Sequence, residues 1–121
     1  MRIPDANVIL RYILNDNEDL TDKAADFFSG GNILIVNEVI AEVVYVLSGK
    51  IYEIERNRIK SALATFLDEV DSYDEVIRKA LDVYANTKLD FVDCLLYEYH
   101  EINGDEICTF DKDLKKLLNK K

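Results

Sequence analysis

Three short apolar runs, at residues 2–5, 33–36 and 106–110, are separated by much longer stretches in which apolar residues recur at helical spacing. That rhythm of short extended segments and long amphipathic helices predicts a parallel β-sheet covered by helices, an α/β fold. Helices are predicted over residues 7–14, 17–29, 37–47, 53–70, 90–102 and from about 112 onward, with a further one capped by Asp74. Pro4 suits the end of a strand or a sheet edge better than a central strand. Gly30-Gly31, Gly49 and Asn103-Gly104 read as stops, and Asn37 as the cap of the helix that follows it. At 121 residues, without a linker, repeat or low-complexity segment, residues 1–121 are expected to form a single domain.

Acidic residues interrupt the apolar runs. Glu42 is the only charged side chain in VIAEVVYVL, Asp93 stands within LDFVDCLLY, Asp111 follows ICTF, and Asp5 follows MRIP. An ionised carboxylate is almost never buried without a partner, because desolvation costs several kcal/mol or shifts the group until it is neutral. Four such positions point to a shared cation. Asp5 and Asp111 fall at the carboxyl ends of predicted strands, where α/β folds place their ligands. Oxygen donors without His or Cys favour Mg²⁺ or Mn²⁺ over zinc. Asp90 lies three residues before Asp93 and reads either as a helix cap or as an auxiliary ligand, whereas Glu38 reads as a first-turn residue favoured by the helix dipole.

Composition bounds the remaining possibilities. The chain is 49% apolar and 32% charged, which excludes wholesale disorder. No apolar run reaches membrane-spanning length and no secretory signal pattern opens the sequence, so the expectation is a cytoplasmic protein without membrane contact. Cys94 and Cys108 read as small buried hydrophobes. His100, the only histidine, reads as a surface or interface residue and excludes a paired-histidine nuclease mechanism. A net charge of −9 argues against a broad basic nucleic-acid surface, yet KDLKKLLNKK at the C-terminus holds five lysines and one aspartate. Lys112, Lys115 and Lys116, with Arg11 on the first helix, are the candidates for phosphate contact, against the plainer readings of a solvated tail and a surface ion pair.

Taken in order, PDANVILRYIL, VNEVIAEVVYVL, LDFVDCLLYEYH and ICTFDKDLKKL resemble the PIN domains, most closely the VapC-type ribonuclease toxins. The resemblance covers nearly the whole chain. It matches Asp5 to the acid of the opening Asp-x-Asn motif, Glu42 to the acid of the helical motif, Asp93 to the second aspartate of DFxD and Asp111 to the aspartate of TFD. It implies a PIN-like fold with a central parallel β-sheet flanked by helices. Asp5, Glu42, Asp93 and Asp111 would be catalytic and would hold one or two Mg²⁺ or Mn²⁺ ions, with Asn7 and Thr109 orienting them by hydrogen bonds. It further implies an endoribonuclease acting on RNA such as tRNA or rRNA, a homodimer, and a cognate antitoxin. An RNA-processing PIN nuclease without a toxin role, or a PIN-like module that binds RNA or protein without cleavage, are the alternatives.

Overall fold

The computed structural model describes residues 1–120 of the 121-residue chain. Its described residues sort into two compact units, the first from Met1 to Tyr73 and the second from Asp74 onward. Seven helices are formed among them: α1 (Ala6–Leu14), α2 (Glu18–Ser29), α3 (Asn37–Ser48), α4 (Arg56–Glu69), α5 (Glu75–Asn86), α6 (Phe91–Asn103) and α7 (Lys112–Leu118).

Among the described residues the expected parallel sheet does not form. Helix accounts for 66% of them and strand for 2%, so they are all-helical rather than α/β. The pairing of the first two predicted strands shrinks to one parallel bridge between Arg2 and Ile33. Two bonds make it: the Arg2 amide donates to the Asn32 carbonyl at 2.8 Å, and the Leu34 amide donates to the Arg2 carbonyl at 2.9 Å. Pro4 has no amide hydrogen with which to continue the ladder. The third predicted strand, residues 106–110, joins no bridge among the described residues. Its apolar side chains are largely uncovered, with Cys108 exposed and Phe110 92% exposed. A run of apolar letters becomes a strand only when a neighbour pairs with it and a layer covers it.

In the first unit, α1 packs against α2 and α3, and α3 against α4. Ile9, Ile40, Val43, Leu47, Ile59 and Leu63 are fully buried there. Tyr12, Phe28 and Phe66 form an edge-to-face cluster with ring centroids 5.0–5.8 Å apart. Burial first, and then the Glu69 carboxylate, push the Tyr12 hydroxyl above its ordinary pKa. Arg2 straps the chain start to the end of α2. Its Nη1 donates to the Phe27 and Gly31 carbonyls, and the guanidinium lies 4.1 Å from the centre of the Phe27 ring. A Cβ at Gly30 would come within 2.6 Å of Arg2 Nη1, so a larger residue there would push the guanidinium aside. Asn37 is the first helical residue of α3 and not its cap; Val36 holds the cap position with no side-chain bond.

In the second unit, Asp74 caps α5 as expected, accepting from the Ile77 amide at 3.0 Å. α5 and α6 pack through Ile77, Ala80, Leu81 and Tyr84 on one side and Phe91, Cys94 and Leu95 on the other. Tyr84 and Phe91 meet edge to face at 6.0 Å. α6 ends at Gly104, whose φ of 75° is the left-handed conformation that glycine adopts without strain. α7 packs on α6 and buries Leu114 completely. No described helix is long and apolar enough to cross a membrane.

Candidate functional site

Two carboxylates of the second unit act on a third, Asp93. Asp93 sits in the first turn of α6 and is half-buried. Its carboxyl is raised above the ordinary aspartate range, first by burial, then by the negative charges of Asp111 and Asp90. The helix dipole favours an anion at this position, so the upward shift means that desolvation and like charge outweigh it.

Asp111 and Asp90 both occupy N-cap positions, yet their carboxylates are used differently. Asp111 begins α7 and its Oδ1 accepts from the Leu114 amide at 2.8 Å. Its own amide donates to the Thr109 hydroxyl at 3.0 Å, so Thr109 fixes the turn that presents it. Asp90 holds the same backbone position before α6 but makes no capping hydrogen bond. Its exposed carboxylate is therefore free of the duty that the cap reading assigned to it.

The first unit holds the other two acids. Asp5 caps α1, its Oδ1 accepting from the Val8 amide at 3.1 Å, and it is exposed. Glu42 is exposed in the middle of α3, as is Glu38 one turn earlier. The expectation that burial strains all four carboxylates thus holds for Asp93 alone. Positions 40, 43, 44 and 47 form the buried stripe of α3, and residue 42 falls on its opposite side despite the apolar letters around it.

The flanking candidates are placed as follows. Asn7 is exposed in the first turn of α1. Arg11 pairs with Asp16 at 2.8 Å, the ion-pair role, while its buried Nε has no hydrogen-bond partner. Lys112, Lys115 and Lys116 are exposed on α7, with the Lys115 ammonium 5.7 Å from the centre of the Phe110 ring. His100 Nδ1 lies 2.8 Å from the Asp105 carbonyl. Cys94 is buried as expected, but Cys108 is exposed and is not a core residue.

Sequence reasoning missed Glu98. It is 4% exposed and is the only polar residue buried to that degree among the described residues. Burial pushes its carboxyl upward; Lys79 opposes the shift, and Glu101, Asp82 and Glu75 add to it. The signal was present, because Phe91, Cys94, Leu95 and Glu98 follow the spacing of one helical face.

Among the described residues, no three His, Cys, Asp or Glu side chains converge closely enough to hold a metal ion by themselves. Mg²⁺ asks for less than such a cage. It is ordinarily held by one or two carboxylates and completed by water and substrate phosphate. Asp93 lies in the field of Asp111 and Asp90 and carries like-charge repulsion of the kind that a cation relieves.

The family model described as PIN domain matches residues 2–119, nearly the whole chain. No curated protein and no solved structure matches it.

Proposed function

Because the chain belongs to the PIN-domain family, whose members are generally nucleases, we propose that it is an endoribonuclease dependent on Mg²⁺ or Mn²⁺. The observation that carries this reading is the half-buried Asp93 in the field of Asp111 and Asp90, within a chain matched by the family along its length. PIN domains typically use divalent metals, and these three residues are the ones that would hold such an ion in the second unit. Asp5 and Glu42, in the first unit, match the family's other two acidic motifs.

A bound divalent cation would supply an acidified water and charge stabilisation on the scissile phosphate. The protein groups prepare for it. Asp111 is held through Oδ1, which leaves its second oxygen out of the capping bond, and Thr109 holds the backbone that carries it. Asp93 is the least hydrated of the three and gains most from a neighbouring positive charge. Hydrolysis joins the water oxygen to phosphorus and breaks the bond to the leaving oxygen, which departs with a proton.

The motif order at Asp5, Glu42, Asp93 and Asp111 is that of VapC-type toxins. We therefore assign the chain the toxin role, with RNA as substrate, a cognate antitoxin as partner and a homodimer as its working form. The deciding experiment is cleavage of total RNA by the purified protein with Mn²⁺ or Mg²⁺, beside an EDTA control and Asp93→Asn. Discrete products that require both metal and Asp93 are expected. Full cleavage by the variant would overturn the site, and no cleavage by the native protein would overturn the activity.

A further inference from the structure

Phe110 is the most exposed large apolar side chain among the described residues, at 92%. The other four phenylalanines behave differently: Phe28, Phe66 and Phe91 are buried and Phe27 is half-buried. A ring left almost wholly in water gives up the burial that stabilises the others and adds almost nothing to the packing of the fold.

Its setting is fixed on both sides. Thr109 Oγ1 accepts from the Asp111 amide at 3.0 Å and so holds the short turn of which Phe110 is the middle residue. On α7, the Lys115 ammonium lies 5.7 Å from the ring centre, near the outer limit of a cation–π contact. The Lys115 amide donates to the Asp111 carbonyl at 3.0 Å, so these two residues stand one turn apart on the same side of the helix. The ring is thereby turned toward the side of α7 that begins with Asp111, and its faces are left open to solvent.

A lone apolar side chain on a surface ordinarily needs no explanation. Phe110 differs in its surroundings. A protein interface encloses its anchor in further apolar groups, whereas Asp111, Lys112 and Asp113, which follow this ring, are all exposed and charged. Asp111 is also one of the two carboxylates that act on Asp93. A flat π surface set among charges suits an equally flat partner attached to a charged chain, which is a nucleobase on its phosphate strand.

We propose that Phe110 is a stacking platform for an unpaired base of the RNA beside the scissile phosphate, so that the substrate is single-stranded where it is cut. Bases within a duplex are already stacked on one another and offer no free face. The proposal rests on the ribonuclease reading above and adds to it the strandedness of the substrate.

The test measures binding apart from cleavage, in EDTA. A fluorescently labelled single-stranded RNA and a duplex of the same length are titrated by anisotropy against the native protein, Phe110→Ala, Phe110→Leu and Phe110→Trp. Phe110→Ala should bind the single strand about 5- to 150-fold more weakly, which is the ~1–3 kcal/mol of one base on an aromatic ring at 1.36 kcal/mol per decade. The factor should be the same at about 50 and 200 mM salt, because no charge is removed. Leucine keeps apolar area without a π face and should not restore binding, whereas tryptophan should. Duplex binding and melting temperature should be equal in all four. The native chain has no tryptophan, so Phe110→Trp carries a single reporter, and its emission should be quenched by the single strand and not by the duplex. Tyr73→Trp, at a ring 72% exposed in the first unit, is the control that should stay bright.

Native-strength binding by Phe110→Ala, full restoration by Phe110→Leu, an equal loss on the duplex or an unquenched Phe110→Trp would each overturn the platform. So would a native protein that binds no single strand in EDTA, since stacking needs no metal. Unchanged RNA binding by Phe110→Ala with an altered oligomeric state in sedimentation would give the ring to a protein contact instead. Cleavage that needs Asp93 and is indifferent to Phe110→Ala would remove the platform and leave the nuclease. Quenching of Phe110→Trp by the single strand, without any cleavage by the native protein, would do the reverse.

Discussion

The two compact units both pack aromatic rings edge to face but place their acidic residues differently. The first buries Tyr12, Phe28 and Phe66 against one another and leaves Asp5 and Glu42 in water. The second half-buries Asp93, buries Glu98 and leaves Phe110 92% exposed. Apolar burial and ring packing hold a fold together, whereas desolvated like charges work against it and are kept where a ligand compensates them. On the proposed reading the second unit carries the acids that depart from good packing, whereas the first carries Asp5 and Glu42 exposed on well-packed helices.

The strongest way to break this contrast is Asp93→Asn. Metal-centred charge stabilisation is worth several kcal/mol, so at 1.36 kcal/mol per decade the loss of cleavage should be about a thousandfold or more. The melting temperature of the variant should be equal or slightly higher, because the substitution removes repulsion from Asp111 and Asp90. Millimolar Mn²⁺ should raise the melting temperature of the native protein and not that of the variant.

Phe66→Ala probes the opposite behaviour in the first unit. Phe66 is 1% exposed and touches both Tyr12 and Phe28, so truncation should cost about 3–5 kcal/mol. A fall in melting temperature of more than about 10 °C is expected by calorimetry. A small fall would mean that the ring cluster is not what holds α1, α2 and α4.

Thr109→Val removes the hydroxyl that accepts the Asp111 amide while keeping shape. Groups that orient metal-binding carboxylates ordinarily contribute about 10–100-fold in activity or metal affinity. Cleavage should fall by that factor, and Thr109→Ser should restore it.

The smallest effect is expected from Glu98→Gln. The carboxyl of Glu98 is raised by burial and by Glu101 of α6 with Asp82 and Glu75 of α5, against the pull of Lys79. A raised carboxyl means that the native state holds the proton more tightly than the unfolded chain. Its contribution is thus fully present below the ordinary glutamate value and is lost as pH rises through the shifted one. Glutamine does not titrate. The variant should be the more stable protein at pH 8, by under about 1 kcal/mol, and the advantage should vanish toward pH 4 in urea unfolding curves.

Most of the helices were legible in the sequence, because a stripe at 3.6-residue spacing depends on nothing outside the segment; Ile77, Ala80, Leu81 and Tyr84 declare α5 by themselves. The sheet was not legible, since strand identity depends on a partner elsewhere in the chain. ICTF has strand letters and no bridge among the described residues, and Pro4 cuts the first pairing to one residue. The motif letters at Asp90, Asp93 and Asp111 did lead to groups that share a field. Reading apolar neighbours as burial failed at Glu42, where helical geometry turns a linear run into one buried and one wet side. The same geometry, applied to α6, would have exposed Glu98.

Asp111 starts a helix with one oxygen, and on the proposed reading its carboxylate also serves the metal ion. Two selective pressures therefore meet at one atom group, and their tolerances differ. Asparagine starts helices as well as aspartate does, so Asp111→Asn yields an inert protein that still builds α7, whereas Asp111→Ala removes the start signal along with the charge. Random drift at this codon therefore has an asymmetric outcome, since most replacements damage the scaffold as well as silencing the activity. Asparagine is the substitution to choose when a folded, harmless form of the protein is wanted.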